Sequence, residues 1–178
     1  MTDLEVRDDG GGHVPTLIVA VDPGTSVGIA ALLDGRPVRV YQIRLDTPDG
    51  RDRLRAALAY LFDLGRNLRL LVACERYTTQ GRAARLSRQD DAQDVIGLVK
   101  TLSPVEVALQ SSADAARFAS DARLNALGLW VVAAEVHQPD ADDANSAMRH
   151  ALLLLARRCA RTYVRLLEEN GVAPTAST

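Results

Sequence analysis

Aromatic side chains make up only 4% of the 178 residues, so a core has to be built mainly from Leu, Val and Ala. Cysteine is nearly absent. Cys74 and Cys159 lie inside apolar patterns without metal-ligand spacing, which argues against a disulfide framework and fits buried thiols of a cytosolic protein. No apolar run approaches the roughly 18 residues of a membrane span, and Leu152–Leu155 falls far short. The start, Met-Thr-Asp-Leu-Glu, lacks the basic-then-apolar pattern of an export signal, so the expected location is the cytoplasm. No excess of one charge announces a partner either, because the formal net charge is −2. The signs are nevertheless partly segregated: Arg76, Arg82, Arg85 and Arg88 fall within residues 76–88. Such a cluster reads either as a solvated face or as a local phosphate-binding patch.

What is present is a regular alternation of elements. Residues 1–14 are polar and Gly-rich and read as a disordered lead. Leu17–Val21 and Val27–Leu33 are apolar strand patterns, and Asp34-Gly35 is a hairpin signal leading into a third strand, Pro37–Leu45. The period then changes. Leu54, Ala57, Leu58, Leu61 and Leu64 recur at helical spacing over residues 49–66. A buried-type strand at Leu68–Cys74, a helix over 84–102 ended by Pro104, and a strand at Val105–Gln110 follow. Ser112–Leu127 reads as one helix, capped by Ser112 and stopped by Gly128. One long last helix is expected from Pro139 or Asp140 to about Asn170-Gly171, with 172–178 a loose tail. Three antiparallel strands followed by strand–helix alternation predict an α/β fold. Its sheet is mixed and five-stranded, with helices on both faces, in a single domain over 15–171.

The chemistry-bearing feature is where the acids fall. Val21-Asp22-Pro23-Gly24-Thr25 puts a carboxylate at the end of a buried strand, where a charge is costly unless compensated. Glu75 ends a second buried strand, and Asp140-Ala141-Asp142-Asp143 opens the last helix, where Asp140 and Asp143 are expected to share a face. Each acid also has a plain structural reading. Asp22 serves an Asp-Pro-Gly turn, Glu75 pairs with Arg76, and the Asp140–Asp143 group complements a helix dipole. If the strands are neighbours and the helix docks its first turn beside their ends, the carboxylates converge on a shared cation.

Taken in order, these pieces resemble the RNase H-like nucleases. Within them, the chain is similar to the RuvC-like Holliday-junction resolvases, in particular the bacteriophage-type members. The likeness spans roughly Thr16 to Arg158. It is carried by Ile18-Val-Ala-Val-Asp22-Pro-Gly-Thr25 with Gly28, by Leu71-Val-Ala-Cys-Glu75, and by Gln110-Ser111-Ser112 with Phe118, Asp121, Arg123-Leu124 and Leu127-Gly128-Leu129. Ala147-Met-Arg149-His150-Ala151-Leu152 resembles the family's final helix. Family members carry an Asp there, with a His or Asp three residues earlier. Anchoring on Asp140 and Asp143 keeps that pair. Anchoring on Arg149-His150 puts Asp143 at the earlier position and Ser146 where the last Asp belongs. Both registers keep Asp143 near the site, which ranks it above Asp140.

The resemblance implies a structure-selective DNA endonuclease that resolves four-way or branched DNA by phosphodiester hydrolysis. Two Mg²⁺ (or Mn²⁺) ions would be held by Asp22, Glu75, Asp140 and Asp143. Arg76, Arg82, Arg85 and Arg88 would contact phosphates, Tyr77 would stack on an unpaired base, and Arg149 and His150 would neutralise phosphate near the metals. Cutting at two places implies a twofold homodimer. Ser146 supports a second reading, a weakened or inactive DNA-binding relative. A third, an actin-like or sugar-kinase ATPase with a related Asp-x-Gly-Thr strand, is disfavoured: 178 residues are too few for two such domains, and no second glycine-rich loop is evident.

Overall fold

The computed structural model describes residues 14–76 and 86–173, with 86–90 described by backbone alone. Tyr77, Arg82 and Arg85, the polar lead up to residue 13 and the tail from 174 lie outside the described residues. Five strands form one sheet: β1 (Thr16–Asp22), β2 (Ser26–Leu33), β3 (Arg36–Arg44), β4 (Arg69–Glu75) and β5 (Val107–Gln110), in the order β3-β2-β1-β4-β5. β2 runs antiparallel to both of its neighbours, β1 and β3, while β4 runs parallel to β1 and β5 to β4, which is the expected mixed sheet. The β2–β3 hairpin turns through Asp34 and Gly35, both at positive φ (48° and 86°), the conformation a tight hairpin turn of this kind requires. Asp34 Oδ1 also accepts from the Thr16 amide at 2.9 Å, which ties the turn to the start of β1.

Helices cover both faces. α1 (Gly50–Leu64) and α2 (Leu86–Leu102) pack on one face against Leu17, Val19, Val21, Val27, Ile29, Val72 and Cys74. The other face, with Ile18, Ala20, Ala30, Leu32 and Ala73, lies under α6 (Asp142–Arg158). Small residues dominate that second contact. Ala20, Ala30 and Ala73 on the sheet meet Ala144, Ala147 and Ala151 on the helix, so the two backbones approach closely. This is how a chain poor in aromatics still closes a dense core. Among the described residues no helix is long and apolar enough to cross a membrane.

The last third of the chain departs from expectation in three places. The helix expected over Ser112–Leu127 is two, α3 (Ser112–Phe118) and α4 (Asp121–Ala126). Ala119 leaves helical geometry at φ −120°, ψ 76°, and the Ser120 side chain caps the new start by accepting from the Arg123 amide at 3.3 Å. A short helix, α5 (Ala133–Val136), follows where no element was expected. The single long final helix is broken at Cys159 (φ −137°, ψ 53°) into α6 and α7 (Ala160–Glu169). The break turns α7 so that Leu166 and Leu167 join the core under α6.

Candidate active site

Strand alternation decides which side chains meet. Successive residues of a strand point to opposite faces. Ile18 and Ala20 face α6, so Asp22 does too; by the same parity Ala30 brings Gly28, Ala73 brings Glu75, Ala108 brings Gln110 and Val40 brings Gln42 to that face. The register adds the second dimension. Asp22 is level with Gly28 across the β1–β2 pair, and Glu75 is level with Gln110 across β4–β5. One end of the sheet therefore carries two acids and two amides, Gln42 and Gln110, on the side where α6 lies.

On α6 the residues that descend toward this end are Asp143, Ser146 and His150, spaced as one helical face. Gly28 is what lets the helix start there: a Cβ at that position would lie 1.9 Å from the Asp143 carbonyl oxygen and 2.8 Å from the Ala144 nitrogen. Gln42, only 5% exposed, holds the same turn from β3. Its Nε2 donates to Asp140 Oδ1 (2.9 Å) and to the Asp140 carbonyl (3.2 Å), and its Oε1 accepts from the Ala144 amide (3.2 Å). Asp140 thus precedes the helix instead of opening it, and the expected shared face of Asp140 and Asp143 is not formed.

Asp22 and Glu75 are in contact, and the Ser146 hydroxyl bonds Asp22. Burial, first, and then the neighbouring Glu75 hold the Asp22 carboxyl well above the usual carboxylate range, with Asp143 adding to the same effect. Burial alone would also raise Glu75. Hydrogen bonds with His150, Asp22 and Ser112, together with the His150 charge, outweigh it and hold Glu75 below its ordinary value. Asp143 is raised, chiefly by burial, against an opposing effect of the Ser26 hydroxyl. Ser26 Oγ is itself buried without a hydrogen-bond partner of normal geometry, close to a cleft lined by Thr25, Gln42, Arg44, Asp140 and Asp143.

The remaining site expectations fall out as follows. His150 is fully buried, with Nδ1 2.9 Å from Gln110 Oε1 and Nε2 3.2 Å from Glu75 Oε2. This corrects the expectation that it meets DNA phosphate directly: its ring has no surface to offer. Arg149 is half-buried and paired with Asp121 on α4. Arg76 is exposed just beyond Glu75, its amide donating to the Gln110 carbonyl at 2.6 Å. Arg88 lies in the first turn of α2, with only its backbone described. Gln42 is a part of the site that motif reading did not name, and Gly28, Gln110 and Ser112 were named there as carriers of the resemblance, without a role in the site. The signal for the two glutamines was a polar residue at the core-facing parity of a strand.

A hard divalent cation fits the donor set at its centre. Two carboxylates in contact in a half-buried place need a proton or a cation between them, and oxygen donors with room for water are what Mg²⁺ prefers. The set is small, however: among the described residues no group of three or more His, Cys, Asp or Glu comes together at metal-binding distance. Ser146, not an acid, lies against Asp22.

No family model and no curated protein matches the chain. Solved structures do. A Thermus thermophilus RuvC structure in complex with a Holliday junction substrate matches with a TM-score of 0.54 and 16% identity, covering 79% of this chain and 95% of that one. A second Thermus thermophilus RuvC structure matches with a TM-score of 0.50 and 14% identity, covering 88% and 98%. What these likenesses establish is the fold, a RuvC-like form of the RNase H-like architecture.

Proposed function

We propose that this protein is a metal-dependent, structure-selective DNA endonuclease of the bacteriophage RuvC type, acting on four-way or other branched DNA. The observation that carries the proposal is the contact between Asp22 and Glu75 at neighbouring strand ends, with α6 laid over them. Asp22, buried and set against Glu75, opposes folding at neutral pH, so a role in holding a cation explains the pair better than a structural one. In this reading Asp22 and Glu75 hold Mg²⁺ or Mn²⁺, and Asp143 is the nearest further carboxylate for a second ion. Bound there, the metal supplies an activated water and stabilises the leaving oxygen of a phosphodiester. The chain's own contribution is to fix those oxygens. Gly28 and Gln42 pin the start of α6, the Ser146 hydroxyl orients Asp22, and His150 and Ser112 hold Glu75.

The proposal extends to the DNA. The RuvC neighbour in complex with a Holliday junction supports a branched substrate for this chain. Arg76, beside Glu75, starts the basic stretch that reaches Arg88, and that stretch would contact backbone phosphates and position the DNA without reading sequence. Tyr77 would stack on an unpaired base. Residues 15–171 would act as one nuclease domain, paired in a twofold homodimer so that both strands are cut in the cytoplasm. A test is gel-shift binding of a fixed four-way junction against a linear duplex, alongside Mn²⁺ calorimetry. Preference for the junction and uptake of Mn²⁺ lost in Asp22→Asn are expected, whereas equal binding to both DNAs would contradict the reading.

One observation favours a second reading. Ser146 interacts with Asp22 from α6, and one of the two registers of the family resemblance calls for an acid at that position. A weakened or inactive enzyme that retains junction binding would show a junction-specific shift without cleavage in Mg²⁺ or Mn²⁺.

A further inference from the structure

We propose that His150 and Gln110 form a buried strut that locks the orientation of Glu75, making His150 a positioning residue for the reaction proposed above, on which this inference rests. Both nitrogens of the ring are engaged: Nδ1 with Gln110 Oε1 at 2.9 Å and Nε2 with Glu75 Oε2 at 3.2 Å. The strut joins three elements. Glu75 closes β4, Gln110 closes β5 level with it, and His150 reaches both from α6. The same two strand ends are also joined through the backbone, where the Arg76 amide donates to the Gln110 carbonyl. Glu75 is therefore anchored on one side through its chain neighbour and through one carboxylate oxygen. The Ser112 hydroxyl at the start of α3 and the Asp22 carboxyl also interact with the Glu75 carboxylate.

The burial argues that this arrangement serves the site and not the fold. His150 on α6 is 0% exposed and Gln110 on β5 is 4% exposed, and Ala147, Ala151, Leu154 and Leu155 of the same helix are buried in the core. A leucine or methionine would fill the same space without two polar groups that must be matched in a dry core. What the polar pair provides and a leucine does not is a fixed carboxylate. A glutamate that is already held loses less side-chain freedom when it takes a ligand, and partners behind a metal-binding side chain commonly account for about 10–100-fold in metal affinity or activity.

Two similar substitutions separate positioning from packing. In His150→Gln the amide nitrogen can reach the place of Nε2 and keep the bond to Glu75. In His150→Asn it reaches only the place of Nδ1. The readouts are Mn²⁺ affinity by calorimetry, kcat and KM on a fixed four-way junction, and thermal unfolding. The expected result is about a 10–100-fold loss of Mn²⁺ affinity and of kcat in His150→Asn, with junction KM unchanged, and recovery of most of both in His150→Gln. Wild-type affinity and kcat in His150→Asn, or equal loss in both variants at equal melting temperature, overturns the strut. Should either variant fail to fold, Gln110→Met keeps a similar volume and removes the amide that meets His150 Nδ1, and it must show the same loss in weaker form. An unchanged Gln110→Met overturns the proposal. A wild type that binds Mn²⁺ but does not cut removes the cleavage reading while the affinity series still decides the strut. A wild type that does neither removes both.

Discussion

Gly28 and the backbone of Asp143 are in direct contact: a Cβ on residue 28 would lie 1.9 Å from the Asp143 carbonyl oxygen. Residue 28 is also the register partner of Asp22. One missing side chain therefore sets how near the acid of β1 comes to the start of α6. Gly28→Ala has to push backbone from backbone, since no flexible side-chain tip stands in the way. The expected cost is at least about 1–3 kcal/mol, read as a lowered melting temperature. Cleavage should fall with it. Wild-type stability in Gly28→Ala would mean that α6 does not sit where it is described.

Asp22 is expected to trade stability for function. Its carboxyl is held well above the usual range by burial and by Glu75, so the folded protein binds this proton more tightly than the unfolded chain does. That difference opposes folding once the pH exceeds the ordinary carboxylate range, and it disappears below that range. Asp22→Asn should therefore melt higher than wild type near neutral pH in the absence of metal, by roughly 2–4 °C if about 1 kcal/mol is recovered. The gain should shrink as the pH is lowered toward the ordinary carboxylate range. A variant that melts lower than wild type at neutral pH would contradict the sign.

Ser146 offers the converse test. Ser146→Asp adds a third acid beside Asp22 and Glu75. Without metal it should destabilise the protein by on the order of 1 kcal/mol, because like charges are forced together in a half-buried place. With Mn²⁺ the upward shift in melting temperature should exceed that of wild type, since a ligand bound only by the folded state stabilises it by mass action. An equal shift in both proteins would show that residue 146 does not face the cation.

Gln42 holds the first turn of α6 through three hydrogen bonds while only 5% exposed. Gln42→Ala leaves the Ala144 amide and the Asp140 carboxylate without that partner. The expected cost is about 1–3 kcal/mol in thermal or denaturant unfolding. Cleavage should drop as well, because the turn that carries Asp143 loosens. A loss confined to stability would place Gln42 in the fold alone.

The sheet was readable because its signals are local: β-branched apolar runs, the Asp34-Gly35 turn and the change to helical spacing after Thr47. Asp22 and Glu75 were readable for a related reason, since each is the first charge after a buried strand. The last third was less legible. Ser120 is a capping residue inside a helical pattern, and the turn at Cys159 carries no glycine or proline to announce it. The choice among Asp140, Asp143 and Ser146 needed contacts that no spacing encodes: Gln42 takes Asp140 out of the helix, and Gly28 fixes the height of Asp143. His150 read as a surface basic group because its helical spacing did not reveal that its face lies against Gln110 and Glu75.

The most direct test of the account is cleavage of a fixed four-way DNA junction by the wild-type protein with Mg²⁺ or with a chelator, set beside Asp22→Asn and Glu75→Gln under the same conditions. The account predicts cutting that requires the metal and is abolished in both variants while junction binding persists. Cutting by either variant at the wild-type rate, or cutting by the wild type in chelator, would contradict it.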